Sequence, residues 1–425
     1  MIGSGLFKAT CAALKEVGLL ELPADLKMRQ FFKRNDQLGR RDRQVVAETV
    51  FDVLRHRRRY THWCTSLGGS AERGLAFCSL ATRGQMPEGL EAYIKPWELS
   101  ERDREWFARL AIHGNLDEGL LPAVRLSLPD WIFEKLREDL SEDDVVAIGR
   151  AALIAAPLDL RVNTLKVDRD QVMAALADLK IEAHIIDWLE NGVRLKGKPA
   201  LEKTDLFING WVEVQDAGSQ WLAKAVDAKR GHTVVDFCAG AGGKTLAMAA
   251  NMRNTGQIYA VDISTARLTR MRPRLARANV TNVQPMGIDS ALDPKLKRLA
   301  AKADRVLVDA PCSGSGTWRR NPDIKWRQSA SHLHALTQQQ FEILSAAARL
   351  VRKGGRLVYS TCSLFSAENE RVVDRFLAEV GTAMGFSKAN VLPLHPITGD
   401  HLAQARLLPH QVDADGFFVC VMERQ

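Results

Sequence analysis

The spacing of apolar positions changes character along the chain. Residues 1 to about 145 carry a helical period: Val45, Val46, Val50, Val53 and Leu54 fall on one side of a predicted helix over 43–55, and 75–80 reads as another core segment. Near Pro157 the pattern switches. Residues 158–165 alternate in part, 171–179 are helical and 183–189 extended, with turn signals at Asn191-Gly192 and Asn209-Gly210. From about Val214, short apolar runs alternate with helical stretches. The runs are 233–237, 258–261, 282–286, 305–308 and 356–359, and 417–422 follows Asp415-Gly416 as a closing antiparallel strand. Pro273 should kink the helix that follows the second run. This repeat predicts a parallel sheet covered by helices on both faces. The expected organisation is an all-helical domain over 1–145, a small α+β module over 155–213 and an α/β domain over 214–425.

Composition adds a bias of charge. The net charge is 59 − 51 = +8, and residues 1–60 hold 13 Lys/Arg against 7 Asp/Glu. Such an excess suits a polyanion as well as a solvated basic face. The seven cysteines are odd in number and form no CxxC pair, which opposes a disulfide framework or a zinc site. His62, Cys64 and Cys78 lack a fourth ligand, and no metal is expected. Lys8, Lys15 and Glu16 interrupt any N-terminal apolar run, and the 151–158 stretch is too short to span a bilayer. The expectation is a soluble cytoplasmic monomer.

The candidate chemistry sits at strand ends. The turn Asp236-Phe-Cys-Ala-Gly-Ala-Gly-Gly-Lys-Thr245 lacks the first glycine of a P-loop and the last of a dinucleotide fingerprint. A class I S-adenosylmethionine site needs glycine freedom here rather than phosphate ligands, so Cys238, Ala239, Gly240, Ala241, Gly242, Gly243 and Lys244 are cofactor candidates. Asp262 would accept from ribose hydroxyls and Asp289 would meet the adenine edge. With Asp236 and Asp309, four acids lie at or near the carboxyl ends of strands, where open α/β sheets bind ligands. Two further strands run into Asp309-Ala-Pro-Cys312 and Ser360-Thr-Cys362. A thiolate adding to carbon 6 of a cytosine turns carbon 5 into a nucleophile, which is what methylation there requires. Lys244 would favour the thiolate, and Asp309 would stabilise the adduct near ring nitrogen 3. The residues alone do not order the two cysteines.

These stretches resemble the bacterial Sun-type ribosomal RNA cytosine-5 methyltransferases, relatives of the NOP/Sun enzymes. The similarity is carried by Leu160-Arg-Val-Asn-Thr164, Val214-Gln-Asp-Ala-Gly-Ser219, Asp236 to Thr245, Asp309 to Gly316, Asn321-Pro-Asp323, Ser360 to Ser363 with Glu368-Asn-Glu370, and Asp415-Gly-Phe-Phe418. Leu38 to Arg43 with Leu54-Arg55 resembles the NusB-like helical domain of that family. The resemblance implies a Rossmann-like class I methyltransferase domain preceded by an RRM-like module. It implies Cys362 as nucleophile, Cys312 in product release, and Asp262, Asp289 and Asp309 at the cofactor. One departure stands out: Ala241 occupies the position where the family commonly has proline. Arg55, Arg57, Arg58 and Arg59, and then Arg319, Arg320, Lys325 and Arg327 beside Trp318 and Trp326, are candidates for RNA contact. The tryptophans serve equally as core residues. The substrate expected is ribosomal RNA. A transfer RNA methyltransferase, an RNA-binding assembly factor with a vestigial site and a DNA cytosine methyltransferase are the other readings.

Overall fold

A computed structural model of the chain describes residues 4–67, 71–82, 101–102, 105–106 and 117–425. The rest of the expected N-terminal helical stretch, within 83–116, lies outside the described residues. Contacts gather the chain into two units, 1–155 with 317–329, and 156–316 with 330–425.

The first unit is helical. Helix Arg40–Leu67 buries Val46, Val50, Val53, Leu54, Tyr60 and Trp63, a three-to-four spacing that keeps one stripe inside. Helix Ala71–Thr82 buries Ala76, Phe77, Cys78 and Leu80, and the Phe77 ring stacks on Phe7 at 5.1 Å. The Cys64 and Cys78 sulfurs lie 3.8 Å apart within this core. The arginine cluster at 55–59 does not end a helix as its composition suggests, since the helix continues to Leu67. Ser141 caps helix Glu142–Ala152, accepting from the Asp144 N–H at 3.1 Å, and three acids fill the first turn where the helix dipole favours them. Segment 317–329 packs in this unit although its flanks belong to the other.

The second unit holds two sheets. A four-stranded antiparallel sheet runs in the order β2-β3-β1-β4, built from β1 (Leu158–Val162), β2 (Ala183–Ile185), β3 (Gly192–Leu195) and β4 (Val212–Val214). Helix Arg169–Asp178 carries a full capping box from Asp168 and Gln171. Its Val172 and Leu176 pack with Leu160, Val162, Val193 and Val212. The Asn191-Gly192 signal does precede β3, but six residues connect β2 to it and neither residue is left-handed. Gly210 does adopt φ +67°, and a Cβ there would stand 2.1 Å from the Arg277 carbonyl oxygen.

The larger sheet has the order β10-β12-β9-β8-β5-β6-β7, with β11 paired to β12. Its strands are β5 (Thr233–Phe237), β6 (Gln257–Asp262), β7 (Val283–Gly287), β8 (Ala303–Asp309), β9 (Val351–Thr361), β10 (Phe386–Lys388), β11 (Gln404–Leu407) and β12 (Phe417–Arg424). Strands β5 to β9 are mutually parallel, and β12 is antiparallel to β9. Alternate residues face opposite cores. Val234, Leu307 and Val358 join Trp221, Leu246 and Met271 on one side, while Val235, Val306, Val308 and Leu357 join Ile343, Leu344 and Phe376 on the other. Both faces are therefore apolar, as a parallel sheet covered twice requires. Pro285 sits in β7, the edge strand, where a missing N–H costs the ladder least. Helix Thr265–Ala278 runs through Pro273 without ending there. Among the described residues no helix is long and apolar enough to cross a membrane.

Candidate active site

Strand β5 delivers the chain into a turn of alternating hand. Cys238, Gly240 and Gly242 take φ of +70°, +58° and +85°. Gly242 caps helix Gly243–Asn251, and a Cβ on it would strike Met271 at 2.5 Å, so only glycine fits. Above Gly240 the space is open. The Gly240 N–H donates to Asp262 Oδ2 at 2.8 Å and the Ser264 N–H to Oδ1 at 2.7 Å, which fixes the carboxylate at the end of β6. Asp236, at the end of β5, is buried; burial pushes its pKa up to about 7 although Thr245 donates to its Oδ2. Its Oδ1 is buried without a hydrogen-bond partner. Asp289 follows β7 with its side chain exposed, and its N–H is held by Asp293 Oδ2 at 2.9 Å.

Strands β8 and β9, paired Asp309 to Ser360, run side by side into the two cysteine loops. The Cys312 and Cys362 sulfurs are 3.3 Å apart, and both residues are half-buried. The hydrogen bond to Cys362, helped by burial, raises the Cys312 pKa well above that of an ordinary thiol. Cys312 therefore keeps its proton. Beside them Lys244 Nζ donates to Asp309 Oδ2 at 2.7 Å, and Ser360 Oγ donates to Oδ1 at 3.2 Å. Burial opposes the charge on Lys244, but the Asp309 carboxylate outweighs it, and the pKa ends above the ordinary lysine value. The site thus joins a thiol pair, a fixed cation, a carboxylate and a glycine turn on one edge of the sheet.

The chain is similar to known proteins over most of its length. Residues 223–423 match the family model described as 16S rRNA methyltransferase RsmB/F, and residues 128–202 match the ferredoxin-like domain of RsmF/B-like methyltransferases. A probable ribosomal RNA small subunit methyltransferase B of Synechocystis is 35% identical over 70% of this chain and 67% of that one. Its counterpart in Bacillus subtilis is 33% identical over 71% and 68%. The chain belongs to the RsmB/F methyltransferase family. A solved structure, that of PH0851, is similar over 99% of this chain and 98% of that one, with a TM-score of 0.76 and 25% identity.

In this RsmB/F chain the two cysteine loops are tied by residues to which sequence reasoning gave no role. Glu368, fully buried, accepts from the Ser313 N–H at 2.8 Å, from Ser313 Oγ at 2.5 Å, from Gln340 Nε2 at 2.9 Å and from the Ser363 hydroxyl. Asn369 accepts from Thr361 Oγ1 and donates to the Ser363 carbonyl at 2.9 Å. One carboxylate therefore holds the residue after each cysteine. The signal available was Glu368-Asn-Glu370, three polar residues following a buried strand. Gly316 adds a second tie: its N–H donates to the Cys362 carbonyl at 2.9 Å, and its own carbonyl accepts from Gly416 at 2.8 Å.

The basic candidates lie in the helical unit, and most are engaged inside it. Arg55 is buried and donates to the Arg319 carbonyl at 3.0 Å. Lys325 is fully buried, donates to the Arg55 carbonyl at 2.8 Å and is pushed down to about 7 by burial and by Arg55. Neither faces a phosphate, so the expectation of RNA contact fails for these two on burial. Arg319 is buried as well. Arg57 donates to the Gly18 carbonyl at 3.3 Å; Arg58 holds the Leu128 carbonyl and Asp130, each at 2.7 Å; Arg59 grips Asp117 with two donors at 2.8 and 2.5 Å. Trp318 is a core residue and Trp326 donates to the Leu54 carbonyl at 2.7 Å. Arg320 is half-buried, and Arg327 is exposed with a 3.4 Å contact to Asp323.

Proposed function

We propose that this chain transfers a methyl group from S-adenosylmethionine to carbon 5 of a cytosine in ribosomal RNA through a covalent bond between Cys362 and the ring. The observation that carries this reading is the Cys312–Cys362 sulfur pair, 3.3 Å apart, beside the Lys244–Asp309 ion pair. Family membership and the names of the relatives support methyl transfer to ribosomal RNA. The residues of the turn suit the cofactor. Asp262 keeps a free lone pair on each oxygen for a ribose diol, the space over Gly240 is open, and Asp236 Oδ1 is a buried polar atom without a partner. When bound, that cofactor supplies an electrophilic methyl group on a sulfonium.

The chain's own residues supply the rest. Cys362 attacks as the thiolate and bonds to carbon 6 of the cytosine, opening the 5,6 double bond. As sulfur adds, ring nitrogen 3 takes up a proton, and Asp309, held by Lys244 and Ser360, would accept a hydrogen bond from that N–H. Carbon 5, now electron-rich, takes the methyl group. A base then takes the carbon 5 proton, the released electron pair restores the 5,6 double bond, and the carbon 6–sulfur bond breaks with Cys362 leaving as the thiolate. Cys312 is assigned to this release step. The target base must leave its stack to reach both sulfurs.

Two variants test the assignment on ribosomal RNA read by bisulfite sequencing. Cys362→Ala abolishes methylation; ordinary turnover would remove it as nucleophile. Cys312→Ala accumulates a protein–RNA adduct seen as a slow band on a denaturing gel, and full turnover without the band would remove it from release. Methylation of transfer RNA or DNA in place of ribosomal RNA would move the substrate and leave the chemistry.

A further inference from the structure

The small antiparallel sheet reaches the ligand side of the large one through a short polar chain. Glu213, on β4, is 3% exposed and its carboxylate is shared by two arginines of helix Thr265–Ala278. Arg274 donates to Oε2 from Nη2 at 2.9 Å, and Arg277 donates to Oε1. The remaining Arg274 donor, Nη1, reaches the carbonyl of Ala241 at 2.7 Å, at the centre of the glycine turn. A second residue of the same sheet, Arg161, lies buried beside the turn with its Nη1 3.5 Å from the Gly243 carbonyl.

This turn needs an external hold. Its three left-handed residues fall at 238, 240 and 242, two of them glycines, which have more freedom to lose than any other residue. Ala241, between those glycines, stands where the resembled family commonly carries proline, so no ring limits its φ. A half-buried guanidinium that two groups orient is a stiff substitute, because its planar fork binds a carboxylate and a carbonyl at once.

We propose that Glu213 and Arg274 are positioning residues that hold the turn at Ala241 in its cofactor-binding shape, which gives the small sheet a role in cofactor affinity. The inference rests on the reading of that turn as the S-adenosylmethionine site. The Ala241 φ is not left-handed and its N–H takes no part in the turn's backbone hydrogen bonds among the described residues, so proline is admissible there.

The test is calorimetric binding of S-adenosylhomocysteine to the full chain, with methylation kinetics beside it. Arg274→Met weakens binding about tenfold, the scale of one lost charge-assisted hydrogen bond. It raises KM for S-adenosylmethionine while kcat changes by less than about twofold. Ala241→Pro added to Arg274→Met recovers most of the affinity, and Glu213→Gln shows a smaller loss of the same kind. Should Arg274→Met not fold, Arg274→Lys, which keeps the charge but cannot reach both partners with a planar fork, is read in the same way. Unchanged affinity in these variants overturns the inference. So does a loss that Ala241→Pro does not repair and that tracks a lowered melting temperature, since that is a structural effect alone. Wild-type chain that fails to bind S-adenosylhomocysteine overturns the site reading itself, a result distinct from either.

Discussion

Two lysines, one in each unit, are removed from water and end in opposite states. Lys244 meets the Asp309 carboxylate at 2.7 Å and its pKa rises above the ordinary value. Lys325 has no counter-charge among the described residues; it donates to the Arg55 carbonyl at 2.8 Å, lies 5.1 Å from the Trp326 ring, has the Arg55 guanidinium nearby, and is pushed down to about 7. Burial is common to both, and the difference lies in the counter-charge. A cation kept charged in a half-open site can favour a thiolate. An amine close to neutrality is a packing element with one good donor. The same side chain therefore belongs to chemistry in one place and to architecture in the other.

The comparison breaks most visibly at Asp309. Asp309→Asn removes the counter-charge from Lys244 and the stabiliser of the adduct, and methyl transfer falls by roughly a hundredfold to ten-thousandfold. A loss below about tenfold would mean that the ion pair stands outside the chemistry. The next effect is on stability and its dependence on pH. Unfolded, a lysine keeps its proton up to about pH 10.4; folded, Lys325 gives it up near pH 7. Between those values the unfolded chain binds more protons, so stability rises with pH, by at most about 1.4 kcal/mol per unit. Lys325→Met abolishes this slope, and urea midpoints at pH 7 and pH 9 for both proteins measure it. Lys244 has the opposite sign, since a raised pKa gives stability that is present below about pH 10.4 and lost above the folded value.

Smaller effects separate the arginines. Arg55→Met leaves the Arg319 carbonyl without its donor and costs about 2 kcal/mol, with the salt dependence of RNA binding unchanged. Arg327→Ala changes stability by less than about 0.5 kcal/mol, because its contact with Asp323 is long, at 3.4 Å, and Asp323 keeps the Ala24 N–H as a donor at 3.2 Å. We propose Arg327 as a phosphate contact, and its loss lowers the slope of log affinity against log salt by about one. If the two variants trade these phenotypes, the division between architectural and nucleic-acid-facing cations is wrong.

The parallel sheet was legible because its strands are short apolar runs, several ending in aspartate, and both faces are buried. The run predicted at 233–237 is β5 to the residue. Strands β10 and β11, three and four residues long, carry too few positions for any period to show. At the site, glycines and cysteines announced themselves through spacing. Glu368 did not, because its role depends on Ser313 and Gln340, which lie 55 and 28 residues away in the chain. The partners of the basic cluster were hidden for the same reason. Four arginines within five positions attract attention as charge, but what they do is set by distant partners: Asp117, the Leu128 carbonyl and the Arg319 carbonyl are 58, 70 and 264 residues away.

The tie between Gly316 and Gly416 has a bearing on biosynthesis. A Cβ on Gly316 would stand 2.1 Å from the Gly416 carbonyl oxygen, so the loop bearing Cys312 closes only against backbone made about a hundred residues later. Strand β12 follows directly and pairs with β9 along the stretch that leads to Cys362. A nascent chain that has already emitted the glycine turn, both thiols and all five parallel strands still lacks the strand that backs β9. The closed form of the Cys312 loop therefore waits on residues 416–424, which are made after both cysteines.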